Sequence, residues 1–392
     1  MHRTLLFCFI FAICLAAAPE INGKEDPVRI THGPWLCEMS ENAVTIVWKT
    51  DKPGLSWVEA GEDTGEHFYA EEHKRFYDSR HGRRRTQETL HSVRLSGLKP
   101  GTVYNYRIFT QQTVGWDYSD YVKLGKTASS SVYKTEPYKF RTFPFDTDQV
   151  RFIVINDLHG RDKHLRKLCE NVDFSQYDFV ALNGDMLSMT ESEEDLFSGW
   201  LDACVSLFAT NTPIVFIRGN HENRGRYADS LFEYFPSSSG RFYYNFHFGN
   251  IDFLVLDCGE DKPDSDIEYG GIAEFDQYRE EEALWLEETV QNLSGKYKVA
   301  FLHIPPGTSS WHGDKELRRL FMPPLSTFGI DLMISGHTHS FMELKPDKSH
   351  PFPIVVNDNN CYMSVHIKSG RTTISIVDSE GRQQHKLEYK KQ

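Results

Sequence analysis

The hydrophobic pattern divides the chain into two parts of different character, which meet near residue 147. Between residues 27 and 143, short segments alternate apolar and polar side chains and are separated by turn clusters. One such segment is AVTIVWK at residues 43–49, and the turn sequence DKPG follows at residues 51–54. Alternation with a period of two is typical of strands that bury one face. The first part is therefore predicted to be an all-β sandwich of short strands.

In the second part the apolar runs do not alternate, which is typical of strands covered on both faces. These runs lie at residues 152–155, 179–182, 213–217, 253–256, 299–302 and 332–334. Helix-like stretches separate several of them, at residues 162–171, 193–209 and 275–293. Strands that alternate with helices predict an α/β layered domain. Two alternating segments, at residues 362–367 and 372–377, are predicted to be hairpin strands that complete a sheet.

The N-terminal segment has the features of a secretory signal peptide. A short basic start, MHRT, precedes an apolar run of 14 residues, LLFCFIFAICLAAA. This run is too short for a transmembrane helix, which needs about 20 residues. We therefore predict a signal peptide at residues 1–23, a β-sandwich at residues 24–146 and an α/β domain at residues 147–392. The protein is expected to be secreted or periplasmic and to have no transmembrane segment.

The net charge limits the kinds of molecule that the protein is expected to bind, and the cysteine content indicates which disulfide could form. The formal net charge of −13 argues against a nucleic-acid polymer, whose phosphates require Lys and Arg contacts. A small phosphorylated substrate is still compatible, because a local cationic site can override the net charge. Five cysteines follow the predicted signal peptide, and an oxidising compartment would permit a disulfide between Cys169 and Cys204. The sequence leaves this pairing and the oligomeric state open.

Polar residues able to bind metal follow five of the apolar runs directly. The five sequences are NDLHG at 156–160, NGD at 183–185, RGNHE at 218–222, His303, and SGHTH at 335–339. A single aspartate at such a place is usually a helix cap or a turn residue. Five coincidences at strand carboxyl ends, where α/β sheets bind ligands, instead predict a metal site. His337 and His339 are expected to point to the same side of an extended segment and to reach two neighbouring metals.

In order, the motifs D-L-H, G-D, G-N-H-E, F-L-H and G-H-T-H resemble those of the calcineurin-like metallophosphoesterases, a superfamily that includes the purple acid phosphatases. The upstream segment resembles a fibronectin type III-like domain, through Trp48 and the LKPGTVYNY run at residues 98–106. This order of domains is similar to that of the plant purple acid phosphatases. The resemblance implies a metallophosphoesterase α/β sandwich preceded by an all-β domain.

The resemblance also implies two metal sites that share Asp185. One site would take Asp157, His159, Asp185 and His339, and the other would take Asp185, Asn220, His303 and His337. Such nitrogen and oxygen ligands suit divalent Mn, Fe or Zn. Ser188 stands where purple acid phosphatases carry the tyrosine whose iron complex gives their colour. The protein is therefore expected to lack that colour.

The remaining candidate residues are assigned to the substrate. His221 is predicted to protonate the leaving oxygen and Glu222 to orient His221. His312, Arg161 and Arg224 are predicted to contact phosphate. The predicted function is an exported, dinuclear metal-dependent phosphoesterase in which a metal-bound water or hydroxide attacks phosphorus, with an acid phosphatase-like phosphomonoesterase favoured. The alternatives are a phosphodiesterase, a nucleotide hydrolase, or a non-catalytic surface-binding protein with an inert phosphatase domain.

Overall fold

The computed structural model describes residues 26–118, 121–130 and 134–391, so the predicted signal peptide at residues 1–23 lies outside the described residues. The strands are β1 (Ile30–Cys37), β2 (Ala43–Thr50), β3 (Gly54–Glu62), β4 (Lys74–Tyr77), β5 (Ser79–Arg80), β6 (Arg83–Arg84), β7 (Leu90–Ser96), β8 (Val103–Asp117), β9 (Tyr121–Ser129), β10 (Tyr138–Arg141), β11 (Gln149–Ile155), β12 (Phe179–Asn183), β13 (Ile214–Ile217), β14 (Tyr244–Phe248), β15 (Ile251–Val255), β16 (Tyr297–Phe301), β17 (Leu332–Ser335), β18 (Met342–Leu344), β19 (Ile354–Val356), β20 (Cys361–Lys368), β21 (Arg371–Asp378) and β22 (Gln383–Lys390). The α-helices are α1 (Asp162–Leu168), α2 (Glu193–Leu196), α3 (Asp202–Cys204), α4 (Phe275–Gln291), α5 (His312–Leu320) and α6 (Met322–Thr327). Within the described ranges, no helix has both the length and the apolar character that crossing a bilayer requires.

The N-terminal part is the predicted β-sandwich. Strands β1, β2 and β7 form one layer, and β10, β8, β3 and β4 form the other, with β9 paired to β8. The apolar faces of the two layers meet in a core that contains Trp48, Val58 and Tyr106. The indole of Trp48 also donates a hydrogen bond of 2.9 Å to Thr110 Oγ1 in the opposite layer. The prediction of an all-β first domain is confirmed.

The second part consists of two facing sheets with helices on both outer surfaces. One sheet has the order β22-β21-β20-β11-β12-β13, and the other has the order β14-β15-β16-β17-β19-β18. Phenylalanines fill the space between them; Phe152, for example, stacks on Phe179 at 4.7 Å and meets Phe301 edge-on at 5.7 Å. Helices α1 to α3 pack on the first sheet and α4 to α6 on the second. This arrangement confirms the predicted α/β layered domain.

The two parts share a sheet. Strand β1 pairs in parallel with β13 at Cys37 and Ile214, so the first sheet runs through nine strands from β22 to β7. Two hydrogen bonds strengthen the junction: Trp35 Nε1 donates to the carbonyl of Tyr234 at 2.9 Å, and the Tyr106 hydroxyl donates to Thr210 at 2.7 Å. Because β13 leads directly into the loop at residues 218–222, the N-terminal part supports the strand that positions this loop.

Two details differ from the sequence predictions. The helix expected at residues 193–209 is interrupted, because π-helical turns at Phe197–Leu201 and Val205–Ala209 follow α2 and α3. The disulfide considered between Cys169 and Cys204 is absent. Both are buried free thiols, and burial raises the pKa of Cys169 to about 12. These cysteines therefore belong to the apolar packing under α1 and α3.

Candidate metal centre

The carboxyl ends of five strands bring the predicted ligands to one edge of the two facing sheets. Strands β11, β12 and β13 are parallel neighbours in the first sheet, and β16 and β17 are parallel neighbours in the second. Parallel strands end on the same side, so the residues that follow them lie close together. Two triads of metal-binding side chains result, and within each triad the ligand atoms lie within 4.8 Å of one another.

The first triad contains Asp157, His159 and His339. His339 Nε2 lies 3.2 Å from Asp157 Oδ1, and His159 Nε2 lies 4.0 Å from the same oxygen. The two Nε2 atoms of His159 and His339 are 3.1 Å apart. Two imidazole lone pairs do not attract each other, so this spacing requires a proton or a cation between them.

The second triad contains Asp185, His303 and His337. His303 Nε2 lies 3.1 Å from Asp185 Oδ2, and Asn220 Oδ1 lies 3.1 Å from His337 Nδ1. The Nδ1 of His303 donates to the carbonyl of Asn183 at 2.6 Å, which leaves Nε2 as the nitrogen that faces the triad. His303 Nε2 is also 3.9 Å from Asp157 Oδ1, so the two triads adjoin.

The donor atoms of both triads fit a bound cation. Asp157 Oδ1 and His303 Nε2 are buried and make no well-directed hydrogen bond, although other triad atoms lie close by. Burial lowers the pKa of His303, but the adjacent Asp185 and Asp157 outweigh it and raise the pKa to about 10. These groups therefore converge on a point where positive charge is required, as ligands do around a metal.

The local backbone is strained where it turns these side chains toward the centre. Nine non-glycine residues among those described have positive φ, and five belong to the two triads. The five are Asp157 (53°), His159 (50°), Asp185 (56°), His337 (71°) and His339 (57°). The prediction of an extended segment at residues 337–339 is therefore wrong, because both histidines are in the left-handed region. Gly184 permits close approach, since a Cβ there would lie 2.4 Å from His303 Nδ1.

The structure corrects the role predicted for Glu222. Its carboxylate is buried and accepts three backbone hydrogen bonds, from Gly219 at 2.8 Å, Asp185 at 2.8 Å and Met186 at 2.7 Å. Both oxygens are engaged in this way, so they do not orient His221. Glu222 instead joins the loop after β12 to the loop after β13, and both loops carry candidate ligands.

His221 is oriented by Ser188 and Arg224. Its Nδ1 donates to the carbonyl of Ser188 at 2.8 Å, which leaves Nε2 to face Asp185 Oδ2 at 3.9 Å. Arg224 Nη1 lies 3.2 Å from both ring nitrogens. The rest of the Arg224 guanidinium binds Glu260 through two parallel bonds of 2.8 Å. Arg224 was predicted to contact phosphate, but in this structure it connects His221 to Glu260.

Arg161 and His312 also have partners other than the predicted phosphate. The guanidinium of Arg161 donates to the backbone carbonyls of Leu158 and Asp157, each at 2.9 Å, and so fixes the loop after β11. His312 Nε2 binds the Asp276 carboxylate at 2.8 Å and 2.9 Å. Both side chains therefore have protein partners in this structure, and their contact with phosphate stays a prediction.

Sequence reasoning missed two members of the site. Ser188 holds both His221, through its carbonyl, and His159, whose Nδ1 lies 3.1 Å from its hydroxyl. In the sequence, the only signal for the role of Ser188 was that a serine stands where a tyrosine was expected. Glu260 had none, because it lies 36 residues beyond Arg224, in the loop that follows β15.

Two family models match the chain. Residues 150–341 match the calcineurin-like phosphoesterase model, and residues 35–142 match the N-terminal domain of purple acid phosphatases. All residues of the two triads lie within the first match.

Curated relatives and solved structures agree with these matches. The chain is 23% identical over 320 residues to purple acid phosphatase 15 of Arabidopsis thaliana, covering 70% of this chain and 54% of that protein. It is 23% identical over 299 residues to purple acid phosphatase 21 of the same plant, covering 69% of this chain and 58% of that protein. The chain thus spans little more than half the length of these relatives. The fold is similar to that of the purple acid phosphatase PPD1 from yellow lupin (Lupinus luteus) seeds, with a TM-score of 0.62, 14% identity, and coverage of 91% of this chain and 74% of that one.

Proposed function

We propose that the chain is a calcineurin-like metallophosphoesterase, because residues 150–341 match that family and residues 35–142 match the N-terminal domain of purple acid phosphatases. We propose further that it hydrolyses phosphate monoesters with the help of two divalent cations. The observation that carries this proposal is the pair of adjoining triads. Within each triad the ligand atoms lie within 4.8 Å of one another. Two of their buried ligand atoms, Asp157 Oδ1 and His303 Nε2, lack well-directed hydrogen bonds. A site of this composition suits phosphoryl chemistry, because paired cations stabilise the attacking and leaving oxygens of an in-line displacement.

The proposed ligand sets follow the geometry of the triads. One cation would be held by Asp157, His159 and His339, the other by His303, His337 and Asn220, and Asp185 would be shared. Support for Asn220 comes from its Oδ1, which lies 3.1 Å from His337 Nδ1 and thus beside a second donor atom. Imidazole, carboxylate and amide ligands favour Mn, Fe or Zn.

The protein's own groups account for positioning and proton transfer. Bound cations would supply Lewis acidity and lower the pKa of water. His221 presents Nε2 toward the centre and donates a proton from it to the leaving alcohol oxygen. The carbonyl of Ser188 contacts Nδ1 of that ring and the guanidinium of Arg224 lies beside Nε2, and together they fix the orientation of the ring. The buried carboxylates of Asp157 and Asp185 lie in a water-poor environment, where electrostatic interactions are strong.

Export is a further part of the proposal, supported by the signal-peptide pattern at residues 1–23. The mature protein would then act on small phosphorylated molecules outside the cytoplasm. Its acidic net charge of −13 favours small substrates over nucleic-acid polymers.

The proposal is tested by metal analysis combined with an ester panel. We expect two divalent cations per purified chain by inductively coupled plasma mass spectrometry. Hydrolysis of phosphomonoesters should stop after chelation and return with Mn, Zn or Fe. A panel of monoesters, diesters and nucleotides, assayed across pH, compares the favoured activity with its alternatives. A protein that binds no cation, or that hydrolyses esters equally well after complete metal removal, would refute the proposal.

A further inference from the structure

A cavity of about 930 Å³ opens beside His221. Arg224 and Met189 both line it. Arg224 lies 3.2 Å from the His221 ring, and Met189 follows Ser188, whose carbonyl accepts the His221 Nδ1 hydrogen bond. The cavity thus adjoins the side chain that is proposed to protonate the leaving oxygen. Its size is within the range of sites for small organic molecules, about 300–1,000 Å³.

Two segments of the chain form the walls of this cavity and give it an aromatic lining. Residues 223–242, which precede Glu260 in the sequence, supply the first wall. Residues 268–278, which follow Glu260 and include the first turn of α4, supply the second wall. The aromatic side chains among the lining residues are Phe232, Phe242, Tyr269, Phe275 and Tyr278. Aromatic faces bind planar ligands by stacking, which adds about 0.5–1.5 kcal/mol for a ring pair beyond area burial.

Two of the arginines that line the cavity are already paired with carboxylates. Arg218 binds Asp257 at 2.6 Å, and Arg224 binds Glu260 at 2.8 Å. The Arg218 guanidinium also lies over the ring of Phe242, at 4.4 Å. Arginines paired in this way are poor partners for a second phosphate but offer flat surfaces for stacking. The inner cavity therefore favours a planar group of low charge.

Apolar side chains at the cavity are left open to solvent. Ile272 is 88% exposed and Met189 is 50% exposed, and both line the cavity. A single exposed apolar residue needs no explanation. Two of them beside an aromatic-lined cavity, next to the candidate catalytic histidine, fit a surface that a ligand covers.

We infer that this cavity is the leaving-group subsite and that it takes the planar aromatic part of a phosphate ester, such as a nucleobase or an aryl group. The inference rests on the proposed phosphoesterase function. With phosphate at the triads, the ester oxygen would lie near His221 and the alcohol would extend past Arg224 into the cavity. The site would then prefer esters with an aromatic ring over equally reactive esters without one.

The test compares pairs of esters whose leaving groups are of the same type. Ethyl phosphate is paired with 2-phenylethyl phosphate, and ribose 5-phosphate is paired with adenosine 5′-monophosphate. Within each pair the alcohol is primary, so a difference in kcat/KM reports binding of the ring. We expect a preference for the ring-bearing ester on the order of 10-fold or more. A preference in only one pair identifies the ring as an aryl group or a nucleobase, whereas equal kcat/KM values in both pairs would overturn the inference.

Two exposed isoleucines supply a matched pair of variants. Ile272 lines the cavity, whereas Ile267, in the same loop and 93% exposed, does not. Ile272→Asp should reduce the ring preference about three- to ten-fold, because it weakens binding of the ring-bearing ester. Ile267→Asp should not change this preference. Equal effects of the two substitutions would contradict the assignment.

A binding measurement separates this inference from the proposed function. Adenosine should bind the purified protein in saturation-transfer NMR, and Ala273→Trp, which fills the cavity from the second wall, should abolish the signal. If adenosine binds but no ester is hydrolysed, the proposed function fails, and the cavity is an aromatic-binding site but not a leaving-group subsite. If esters are hydrolysed but adenosine does not bind and no ring preference exists, the subsite inference fails alone.

Discussion

Replacing Glu222 with alanine tests whether the two ligand-bearing loops depend on a single carboxylate. Glu222 is 3% exposed and accepts the backbone amides of Gly219, Asp185 and Met186 at 2.7–2.8 Å. Alanine would leave these three amides without an acceptor in a site that is closed to water. We therefore expect Glu222→Ala to destabilise the protein and to weaken metal binding together.

The expected magnitude follows from the three bonds. A hydrogen bond to a charged group contributes about 1.5–3 kcal/mol. Such contributions are not additive within one network. A loss of about 3–5 kcal/mol in the free energy of unfolding is expected, as for other broken buried networks. For a chain of this length that corresponds to a Tm lower by about 4–7 °C.

Asp314 provides a control, because it is a buried carboxylate that also accepts three backbone amides, in addition to the guanidinium of Arg318 at 2.8 Å. It accepts the backbone amides of Gly307, Thr308 and Ser309 at 2.7–3.0 Å. Asp314→Ala should lower Tm by a comparable amount but leave the metal content near that of the wild type. Differential scanning calorimetry and mass spectrometry of dialysed protein measure the two quantities independently.

Either of two outcomes would refute the reasoning about Glu222. If Glu222→Ala kept both the wild-type Tm and the wild-type metal content, the three bonds would not support the loops. If Asp314→Ala lost metal to the same extent, the loss would reflect general destabilisation rather than the connection between the ligand loops.

Four further outcomes are expected. Asp185→Asn should lose metal and activity because the shared carboxylate is weakened, whereas Asp252→Asn, at a buried carboxylate hydrogen-bonded outside the triads, should keep both; a fully active Asp185→Asn with two metals would exclude a shared ligand. His221→Ala should impair alkyl phosphates more than nitrophenyl phosphate, because only the poor leaving group needs the proton, which contributes about 10²–10⁴-fold; equal losses with chemistry rate-limiting would contradict that role. The isolated protein should show no iron–phenolate absorption band, since Ser188 offers no phenolate beside His159; a strong visible band would contradict this. Burial lowers the pKa of His91 to about 3, so the folded state takes up fewer protons than the unfolded state below pH 6.5, and stability should fall as the pH drops from 6.5 toward 3. The free energy of unfolding should fall less steeply over this range in His91→Phe; identical slopes would rule His91 out as the cause.

Much of the fold could be predicted because the chain uses two different hydrophobic periods. Strand β7 alternates buried and more exposed residues as expected for one buried face, and the unbroken apolar run of β12 is buried on both faces. Strand β2 differs from its prediction, because it is buried along nearly its whole length. The shared sheet could not be predicted. Strands β1 and β13 meet at a single registered pair, Cys37 and Ile214, and no local pattern encodes a pairing between such distant segments.

The candidate ligands were predictable because each follows an apolar strand, but their supporting contacts were not. Glu222 follows His221 directly in sequence, which suggested that the two side chains interact. In the structure Glu222 turns into the protein toward backbone amides, and the partners of His221 are the carbonyl of Ser188 and the guanidinium of Arg224. Arg224 is held in turn by Glu260, from a distant loop. Such pairings depend on how loops pack in three dimensions, and residue spacing does not report this.

The strained backbone explains why the centre depends on these supporting contacts. An extended chain would send His337 and His339 to the same face, whereas here the backbone leaves the extended conformation and directs the two side chains to different triads. Positive φ at the five triad residues accomplishes this turn. Each such residue costs on the order of 1 kcal/mol and persists only where neighbouring contacts hold it. Glu222 holds the turn at Asp185, and Arg161 holds the carbonyl of Asp157. Loss of either contact would relax the turn before it disturbed the sheets, so metal affinity should be more sensitive than the fold to changes in these residues.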